Sequence, residues 1–314
     1  MIAPLHTIIS RLRLRQLRLL IALDEKGSLH RAAEEVAISQ PGATKALHEL
    51  EDTFGTPLFT RTSQGLVAND LGRCVIRYAR LIHNDLVHMR NEMMGVFHGA
   101  GGYVSTGAIM GAVPYVTQTV AALRRKQPDL SVEIIESTSA NLLGLLDEGR
   151  LDFAICRASV SRRPDAYDYR NLQEEAVAIV GHPEFARDRD GPLTLADLSA
   201  NSWVVYPANM PMRVALEREF GDAGLEFPRY PIETASTFVL LSMIQQDPSL
   251  VGLIPSDVAE FSERFGLIRR LPIAFRSRTE PYGVVTRRNG ELSQPAQLVV
   301  HALLSGQEAP ARPD

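Results

Sequence analysis

The sequence is poor in cysteine, in aromatic residues and in long apolar runs. Its 314 residues include two cysteines and one tryptophan, and aromatic residues make up 6% of the chain. The two cysteines could form a redox-sensing pair, but we expect Cys74 and Cys156 to be buried structural residues. No run reaches the roughly eighteen consecutive apolar residues of a membrane-spanning helix. Residues 1–20 mix arginine with apolar residues and show no separate signal segment, so we expect a cytoplasmic protein without membrane contact.

The sequence also lacks a strong charge of one sign and lacks the usual catalytic signatures. The formal net charge is −4, and residues 1–70 hold as many acidic as basic residues. Any DNA binding must therefore depend on where charges are placed and not on their number. We find no nucleophile elbow, phosphate-binding loop, dinucleotide fingerprint or paired metal ligands, and His83 and His88 are spaced poorly for a shared helix face. We predict no catalytic residue, no metal ion and no cofactor.

The most informative stretch runs from Ser28 to Arg61 and reads SLHRAAEEVAISQPGATKALHELEDTFGTPLFTR. After Ser28, a good N-cap residue, apolar residues recur at the spacing of a short helix, namely Leu29, Ala32, Ala33 and Val36. Ser39 can cap a second helix, and Pro41 is tolerated in its first turn because the missing amide would be unpaired there. The pattern predicts two helices joined by a tight turn.

The second predicted helix has one apolar face and one polar face. The apolar face consists of Ala43, Ala46, Leu47, Leu50 and Phe54. The opposite face carries Gln40, Thr44, Lys45 and His48. No acidic residue precedes Glu49 on this helix. Such a surface is typical of a recognition helix, whose N-terminal residues reach base edges while short polar side chains and amides bind phosphates.

The string SxxRAAExxxxSQPxxTKxLxxLExxxGxPLFxR closely resembles the N-terminal domain of the LysR-type transcriptional regulators. The resemblance implies a winged helix-turn-helix dimer that binds pseudo-palindromic double-stranded promoter DNA. By position, it implies that bases and backbone are contacted by Gln40, Pro41, Thr44, Lys45 and His48, with Arg61 in the wing facing the minor groove. Ser28, Arg31 and Ser39 complete the candidate DNA-binding set. Gly42 departs from the alanine usual in the family, and since glycine costs about 1 kcal/mol inside a helix we expect a less rigid helix start.

Flanking segments complete the N-terminal half. Residues 1–13 are expected to be a loose extension, followed by a helix from Leu14 that closes at Gly27. Pro57 should end the recognition helix, and residues 58–67 suit a two-stranded wing.

One long helix is predicted from Leu71 to Phe97. Its apolar residues recur at intervals of three and four: Leu71, Val75, Tyr78, Leu81, Ile82, Leu86, Met89 and Met93. This stripe either pairs with the same helix of a second subunit, as the resemblance implies, or packs on its own C-terminal domain. Gly99, Gly101 and Gly102 then form a hinge.

After the hinge, apolar segments with strand and helix patterns alternate, which predicts an α/β domain with parallel sheets covered on both faces. The predicted strands are Val104–Met110, Ser131–Glu136, Asp152–Cys156, Ala176–Val180, Ser202–Tyr206, Tyr230–Glu233, Val251–Ile254 and Tyr282–Thr286. The resemblance implies a two-lobed effector-binding domain of the periplasmic-binding-protein type (type 2). The expected division is 1–70 for the winged helix-turn-helix, 71–99 for the linker helix and hinge, and 100–307 for the effector domain, with lobe I at about 103–160 and 276–305 and lobe II at about 161–275.

Ligands of open parallel sheets collect beyond the carboxyl ends of the strands, where helix N-termini point amides into the crevice. Small or hydroxyl-bearing residues follow several predicted strands, and Arg157 could add a positive charge, although a surface arginine fits equally well. The candidate effector site is Met110, Gly111, Thr138, Ser139, Arg157, Pro207, Asn209, Ser236, Thr237 and Pro255. Each hydroxyl could instead serve as an N-cap. Tyr206, Met210, Met212 and Phe238 could line the cleft or fill the lobe core. The composition of the site favours a carboxylate or other small anion.

These observations favour a ligand-responsive transcription factor over two alternatives. In this hypothesis the effector binds between the lobes of a homotetramer and changes promoter binding or bending and contact with RNA polymerase. An enzyme with an incidental helix-turn-helix is disfavoured by the missing catalytic motifs. A solute carrier is disfavoured by the missing secretion signal and by the DNA-reading motif.

Overall fold

The computed structural model describes residues 2–63, 65–98, 102–185, 193–208, 210–277, 279–288 and 290–306. The chain forms two compact units, one of residues Met1–Tyr103 with Gly144–Leu151 and one of Val104–Leu143 with Asp152–Asp314. Gly99 and Gly101 of the predicted hinge lie outside the described residues.

The N-terminal half is mainly helical. Its elements are α1 (Leu5–Arg11), α2 (Leu14–Lys26), α3 (Leu29–Glu35), α4 (Gln40–Phe54), β1 (Phe59–Thr62), β2 (Gly65–Ala68) and α5 (Asp70–His98). The small core consists of leucines and alanines from α2, α3 and α4, closed by Leu58 before the wing and by Ile76 and Ala79 of α5. The helix-turn-helix, the wing and the single long helix agree with the periodicity of the sequence.

Two local predictions in this half were wrong. The segment expected to be a loose extension contains α1, and the amide of Ala3 donates to the carbonyl of Phe54 over 3.0 Å. No side chain of α1 is buried, so no apolar stripe marked this helix in the sequence. The second error concerns the end of α4, which stops at Phe54 because Gly55 adopts φ 73°, before Pro57 is reached.

Hydrogen bonds donated by backbone amides of the wing and of the residue before it connect the wing to the helices. Glu51 of α4 accepts from the amides of Leu58, over 2.8 Å, and Phe59, over 3.3 Å. The amide of Leu66 donates to the carbonyl of Gly27 over 3.1 Å. Gly65 has φ +120°, and a Cβ placed on it would lie 2.4 Å from the Gly27 oxygen. Only glycine fits there, so the base of the wing is held in one geometry.

The rest of the chain alternates strands and helices. The elements are β3 (Tyr103–Ala108), α6 (Val113–Lys126), β4 (Ser131–Glu136), α7 (Ser139–Asp147), β5 (Phe153–Cys156), β6 (Tyr167–Gln173), β7 (Val177–Gly181), β8 (Ser202–Val205), α8 (Pro211–Asp222), β9 (Ile232–Glu233), α9 (Thr237–Gln246), β10 (Leu250–Pro255), α10 (Ser256–Arg264), β11 (Arg269–Arg270), β12 (Tyr282–Arg287) and α11 (Gln294–Ser305).

These strands form two five-stranded sheets, one for each lobe. The first has the order β4-β3-β5-β12-β6 and the second the order β11-β7-β10-β8-β9. The chain passes between them twice, through residues 174–176 and again through residues 271–281. Each sheet contains one strand next to a crossing that runs antiparallel to its neighbours. In the first sheet β12 is antiparallel to β5 and β6, and in the second sheet β7 is antiparallel to β10. The sheets are therefore mixed, and the prediction of parallel sheets was wrong.

The lobes also differ in detail from the predicted boundaries. Strand β6 belongs to the first sheet, so the chain leaves lobe I only after Gln173 and not at residue 161. Four of its seven residues are exposed, which removed the apolar alternation that would have marked a strand. Helix α10 was not predicted either. Tyr206 and Met212 are core residues of lobe II, 2% and 4% exposed, whereas Phe238 is 78% exposed.

We predict that Gly65→Ala destabilises the N-terminal unit by about 2 kcal/mol or more, because the added Cβ meets the Gly27 carbonyl and φ is positive. Urea unfolding of the full-length chain, followed by circular dichroism, measures the change. Gly144→Ala is the matched control: its Cβ would meet nothing within 4 Å and it lies inside α7, where alanine is favoured by up to about 1 kcal/mol. Equal stabilities of the two variants would contradict the assigned geometry of the wing.

Candidate DNA interface and effector cleft

The start of α4 is capped by its own residues. Ser39 accepts a hydrogen bond from the amide of Gly42 over 3.2 Å. A Cβ at position 42 would lie 3.1 Å from the Ser39 hydroxyl oxygen, so the glycine that was expected to loosen the helix leaves room for this cap. Pro41 occupies the first turn, where its missing amide has no cost.

The polar face of α4 points away from the core. Gln40, Pro41, Lys45 and His48 are exposed, whereas Ala43 and Leu47 on the other face are buried. Thr44 is half-buried, and its hydroxyl donates to the carbonyl of Gln40 over 3.1 Å. The Lys45 ammonium is 3.9 Å from Glu49, and its side chain is 81% exposed. This face therefore presents amide, imidazole and ammonium groups that contacts within the chain barely restrain.

The other candidate DNA-binding residues lie on neighbouring elements. Arg31 is exposed on α3, and Arg61 is exposed on β1. Ser28 precedes α3 without a side-chain capping bond. The wing is closed by Thr60, which donates to the carbonyl of Val67 over 3.2 Å. Sequence reasoning missed Glu51, whose carboxylate positions the wing, because an acidic residue on a helix gives no sign of a partner seven residues away.

In the effector domain, three residues from different strand ends meet. The hydroxyl of Tyr206 donates to the sulfur of Met110 over 3.1 Å and lies 3.3 Å from the hydroxyl of Thr237. Thr237 also contacts the Met110 sulfur. Met110 follows β3 of the first sheet, and Tyr206 follows β8 of the second, so these residues lie where the two lobes meet. Burial raises the pKa of Tyr206, which therefore stays a neutral donor.

Most of the other predicted effector residues already have structural roles. Ser139 accepts from the amide of Arg157 over 3.2 Å, and Ser236 caps α9 by accepting from Val239 over 3.3 Å. Thr138 accepts from the amide of Asn141 over 3.4 Å. Pro207 is half-buried and Pro255 is buried in β10, while Asn209 lies outside the described residues. Thr138 and Ser236 therefore act as helix caps, which was the alternative interpretation, whereas Ser139 binds the backbone that follows β5.

Arg157 is buried and paired, and is not a surface arginine. It is 6% exposed, its guanidinium contacts the Glu175 carboxylate, and its Nε donates to the carbonyl of Glu280 over 2.9 Å. The Thr279 hydroxyl lies 3.2 Å from the same Glu175 oxygen and donates to the Glu175 carbonyl over 2.8 Å. Burial raises the pKa of Glu175, and the nearby Arg157 charge opposes that rise. The predicted positive charge of the cleft is thus balanced internally.

Sequence reasoning missed the acidic residues that organise this region. Glu175 belongs to one crossing segment and Thr279 to the other. A Cβ on Gly111 would lie 1.9 Å from the Glu175 Oε1 atom, so a larger residue at position 111 would displace this carboxylate. Glu219 of α8 accepts from the amide of Arg276 over 2.8 Å and also from that of Ser277. No pattern in the sequence marked either glutamate, because the groups that bind them lie 18 or more residues away along the chain.

Two models of known protein families match this chain, one in its N-terminal part and one in the rest of the chain. A model described as "LysR substrate binding domain" matches residues 99–308, and one described as "Bacterial regulatory helix-turn-helix protein, lysR family" matches residues 14–73. The chain belongs to the LysR family. The HTH-type transcriptional regulator GbpR of Azospirillum brasilense is 34% identical over 96% of this chain and 89% of its own length. GalR of Pseudomonas putida is 28% identical over 92% of this chain and 72% of its own.

Solved LysR-family structures share the fold. CbnR crystallised with its target DNA has a TM-score of 0.65 at 19% identity, covering 94% of this chain and all of CbnR. The two family models and the GbpR relative confirm the helix-turn-helix with a C-terminal effector-binding domain and identify a transcriptional regulator, not an enzyme. Within the ranges that the structure describes, no helix is long and apolar enough to cross a membrane, and no cluster of metal-binding side chains occurs.

The two cysteines of this LysR regulator differ, which corrects the expectation that both are buried. Cys156 is buried in β5, whereas Cys74 is exposed on α5. Burial raises the pKa of the Cys156 thiol to about 12, against the opposing charge of Arg157. Because the folded pKa is raised, the neutral thiol stabilises the fold fully below its ordinary pKa of about 8.5, and this contribution is lost as the pH rises toward the folded value.

We predict that 5,5′-dithiobis(2-nitrobenzoate) labels only Cys74 in the native protein at about pH 8, because the thiolate is the reactive species and Cys156 remains protonated. Denaturant should expose both thiols, and absorbance counts them. The control variant Cys74→Ser should be unreactive until it is unfolded. Rapid labelling of native Cys74→Ser would show that Cys156 is accessible.

Proposed function

We propose that α4 contacts promoter DNA through Gln40, Pro41, Thr44, Lys45 and His48. The supporting observation is the exposed polar face of α4, which carries no acidic residue before Glu49. Arg61 in the wing faces the minor groove, and Ser28, Arg31 and Ser39 contact the phosphate backbone at the edges of this surface. CbnR was crystallised with its target DNA, and the shared fold supports the same arrangement here.

We predict that Lys45→Ala weakens operator binding by about tenfold or more, a cost of about 1–3 kcal/mol, and reduces the salt slope by about 1 if the ammonium contacts a phosphate. Thr44→Ala should also weaken it. Fluorescence anisotropy with the intergenic region upstream of the gene, at several salt concentrations, measures both quantities. Lys26→Ala is the matched control, since Lys26 ends α2 and pairs with Glu35 over 3.3 Å. Equal losses in both lysine variants would refute the assignment of the reading face.

The same proposal includes a homodimer formed through α5. Tyr78, Ile82, Met89 and Met93 follow one another at intervals of four, seven and four residues, which is the spacing of a coiled-coil seam. Their side chains are 55%, 37%, 51% and 64% exposed in the single chain. An apolar stripe of this length on a helix calls for a protein partner. Two such dimers form the homotetramer that we propose as the working assembly.

We predict that Ile82→Glu with Met89→Glu weakens dimerisation by about 3 kcal/mol or more, because unpaired charges enter an apolar seam. Sedimentation velocity measures the masses present, and circular dichroism verifies that the helices remain. Asn91→Glu is the control, because nine residues from Ile82 place it on the opposite side of α5. A double variant that sediments like the unmodified protein would exclude this seam.

The proposed regulator binds a small anion, such as a carboxylate, between the lobes of the effector domain. Met110, Tyr206 and Thr237 mark the line where the lobes meet, and the helix N-termini near them favour negative charge. Effector binding would alter promoter binding or bending and contact with RNA polymerase, in the cytoplasm. We propose the functional division 1–70, 71–99 and 100–307, which the family matches at residues 14–73 and 99–308 support.

A further inference from the structure

A depression of about 450 Å³ lies beside Arg157, and none of the Met110, Tyr206 and Thr237 side chains lines it. One wall is apolar and consists of Val160, Pro211, Val214 and Ala215. The remaining lining is polar and consists of Arg157, Ser159, Arg218, Thr279 and Glu280. The depression therefore combines a small apolar surface with two guanidinium groups.

The two donors that hold Glu175 also face this depression. The Arg157 guanidinium contacts Glu175 Oε2, and the Thr279 hydroxyl lies 3.2 Å from the same oxygen. Glu175 itself is 6% exposed and does not line the depression. A carboxylate that enters from solvent therefore meets the donors that an internal carboxylate already occupies.

The charge of the lining favours an anion at Arg157. Arg218 is exposed and has no ion pair among the side chains that the structure describes. The acidic member of the lining, Glu280, accepts a hydrogen bond from Ser159 at the rim, and it contacts Arg157 only through its carbonyl oxygen. A ligand that fits carries one carboxylate and a small apolar body, which would rest on Val214 and Pro211.

We propose that this depression binds a small monocarboxylate and that the ligand carboxylate competes with Glu175 for Arg157 and Thr279. Glu175 then acts as a tethered internal competitor. The affinity observed for the ligand equals its intrinsic affinity reduced by the fraction of time for which Arg157 is free of Glu175.

The exchange gives the ligand a mechanical effect within the effector domain. Glu175 lies in the first crossing segment, residues 174–176, and Thr279 in the second, residues 271–281. Their hydrogen bonds join the two crossings. A carboxylate that takes over Arg157 and Thr279 weakens this link and shifts the population of lobe arrangements. This inference rests on the proposed effector-binding function of the domain and adds to it a second binding position and a means of regulation.

The test compares benzoate with benzamide, which has a similar shape and no charge, on the full-length protein and on Glu175→Gln. The glutamine keeps the volume and can still accept hydrogen bonds, but it competes less because bonds to a charged group are stronger. Thermal shift of unfolding, titrated with each probe, gives the half-saturating concentration. We expect this concentration for benzoate to fall about tenfold in Glu175→Gln, with no benzamide response in either protein.

Two further variants separate exchange from general electrostatics and locate the site. Glu217→Gln removes the same charge from α8 without freeing Arg157, and Glu217 pairs with Arg213 and does not line the depression, so the benzoate affinity of this variant should change by less than about twofold. Val214→Trp should fill the depression and abolish the benzoate shift, and Val214 is 48% exposed, so the fold can accommodate the change. Equal effects of Glu175→Gln and Glu217→Gln, or full benzoate binding by Val214→Trp, would overturn the proposal.

Anisotropy measurements with operator DNA separate this inference from the regulatory proposal. If Glu175→Gln binds benzoate more tightly but benzoate never changes the affinity for operator DNA, the binding site is supported and its proposed regulatory role is refuted. If the protein binds operator DNA but Glu175→Gln and the unmodified chain have the same half-saturating concentration of benzoate, the DNA-binding role is supported and the proposed exchange with Glu175 is refuted.

Discussion

The buried pair of Arg157 and Glu175 is the interaction on which the two-lobed domain depends. A charge removed from water costs several kcal/mol unless a partner and hydrogen bonds compensate it. Arg157 has its compensation from Glu175 and the Glu280 carbonyl, and Glu175 has it from Arg157 and Thr279. Arg157 directly follows β5, and the other three residues come from the two crossing segments. If the two crossing segments separate, Arg157 needs another anion and Glu175 needs another cation. Their geometry is therefore sensitive to the charge of a ligand.

Polar contacts also position the proposed DNA-reading surface on α4 and the wing. Ser39 caps the start of α4, and Glu51 near its other end holds the amides of Leu58 and Phe59 at the base of the wing. The apolar side of α4 is fixed by burial of Ala43 and Leu47. With both ends and one face restrained, the remaining polar face is rigid in position while its long side chains stay free. Such preorganisation lowers the entropy cost of binding.

Elements with a strong apolar period could be predicted from the sequence, and weakly patterned ones could not. Helices α2, α4 and α5 repeat apolar residues at intervals of three and four, and this spacing predicted all three helices. Strand β6 is mostly exposed and helix α1 buries no side chain, so neither left such a mark. The exposed face of α4 followed from the same period. The effector cleft did not, because residue type alone cannot distinguish a capping hydroxyl such as Ser236 from a ligand-binding one, and the partners of Arg157 are 18 and 123 residues away.

The proposed assembly and the proposed ligand response use different chemistry in this chain. The proposed seam on α5 is apolar, with Tyr78, Ile82 and Met89 exposed in the single chain, so its contribution depends on area removed from water and varies little with salt. The crossings of the effector domain are joined by charged and polar groups, whose balance a single carboxylate can change. DNA binding is likewise electrostatic and weakens with salt. The proposed ligand, by exchanging with Glu175, would therefore alter the polar links between the lobes and leave the proposed apolar contacts between subunits unchanged.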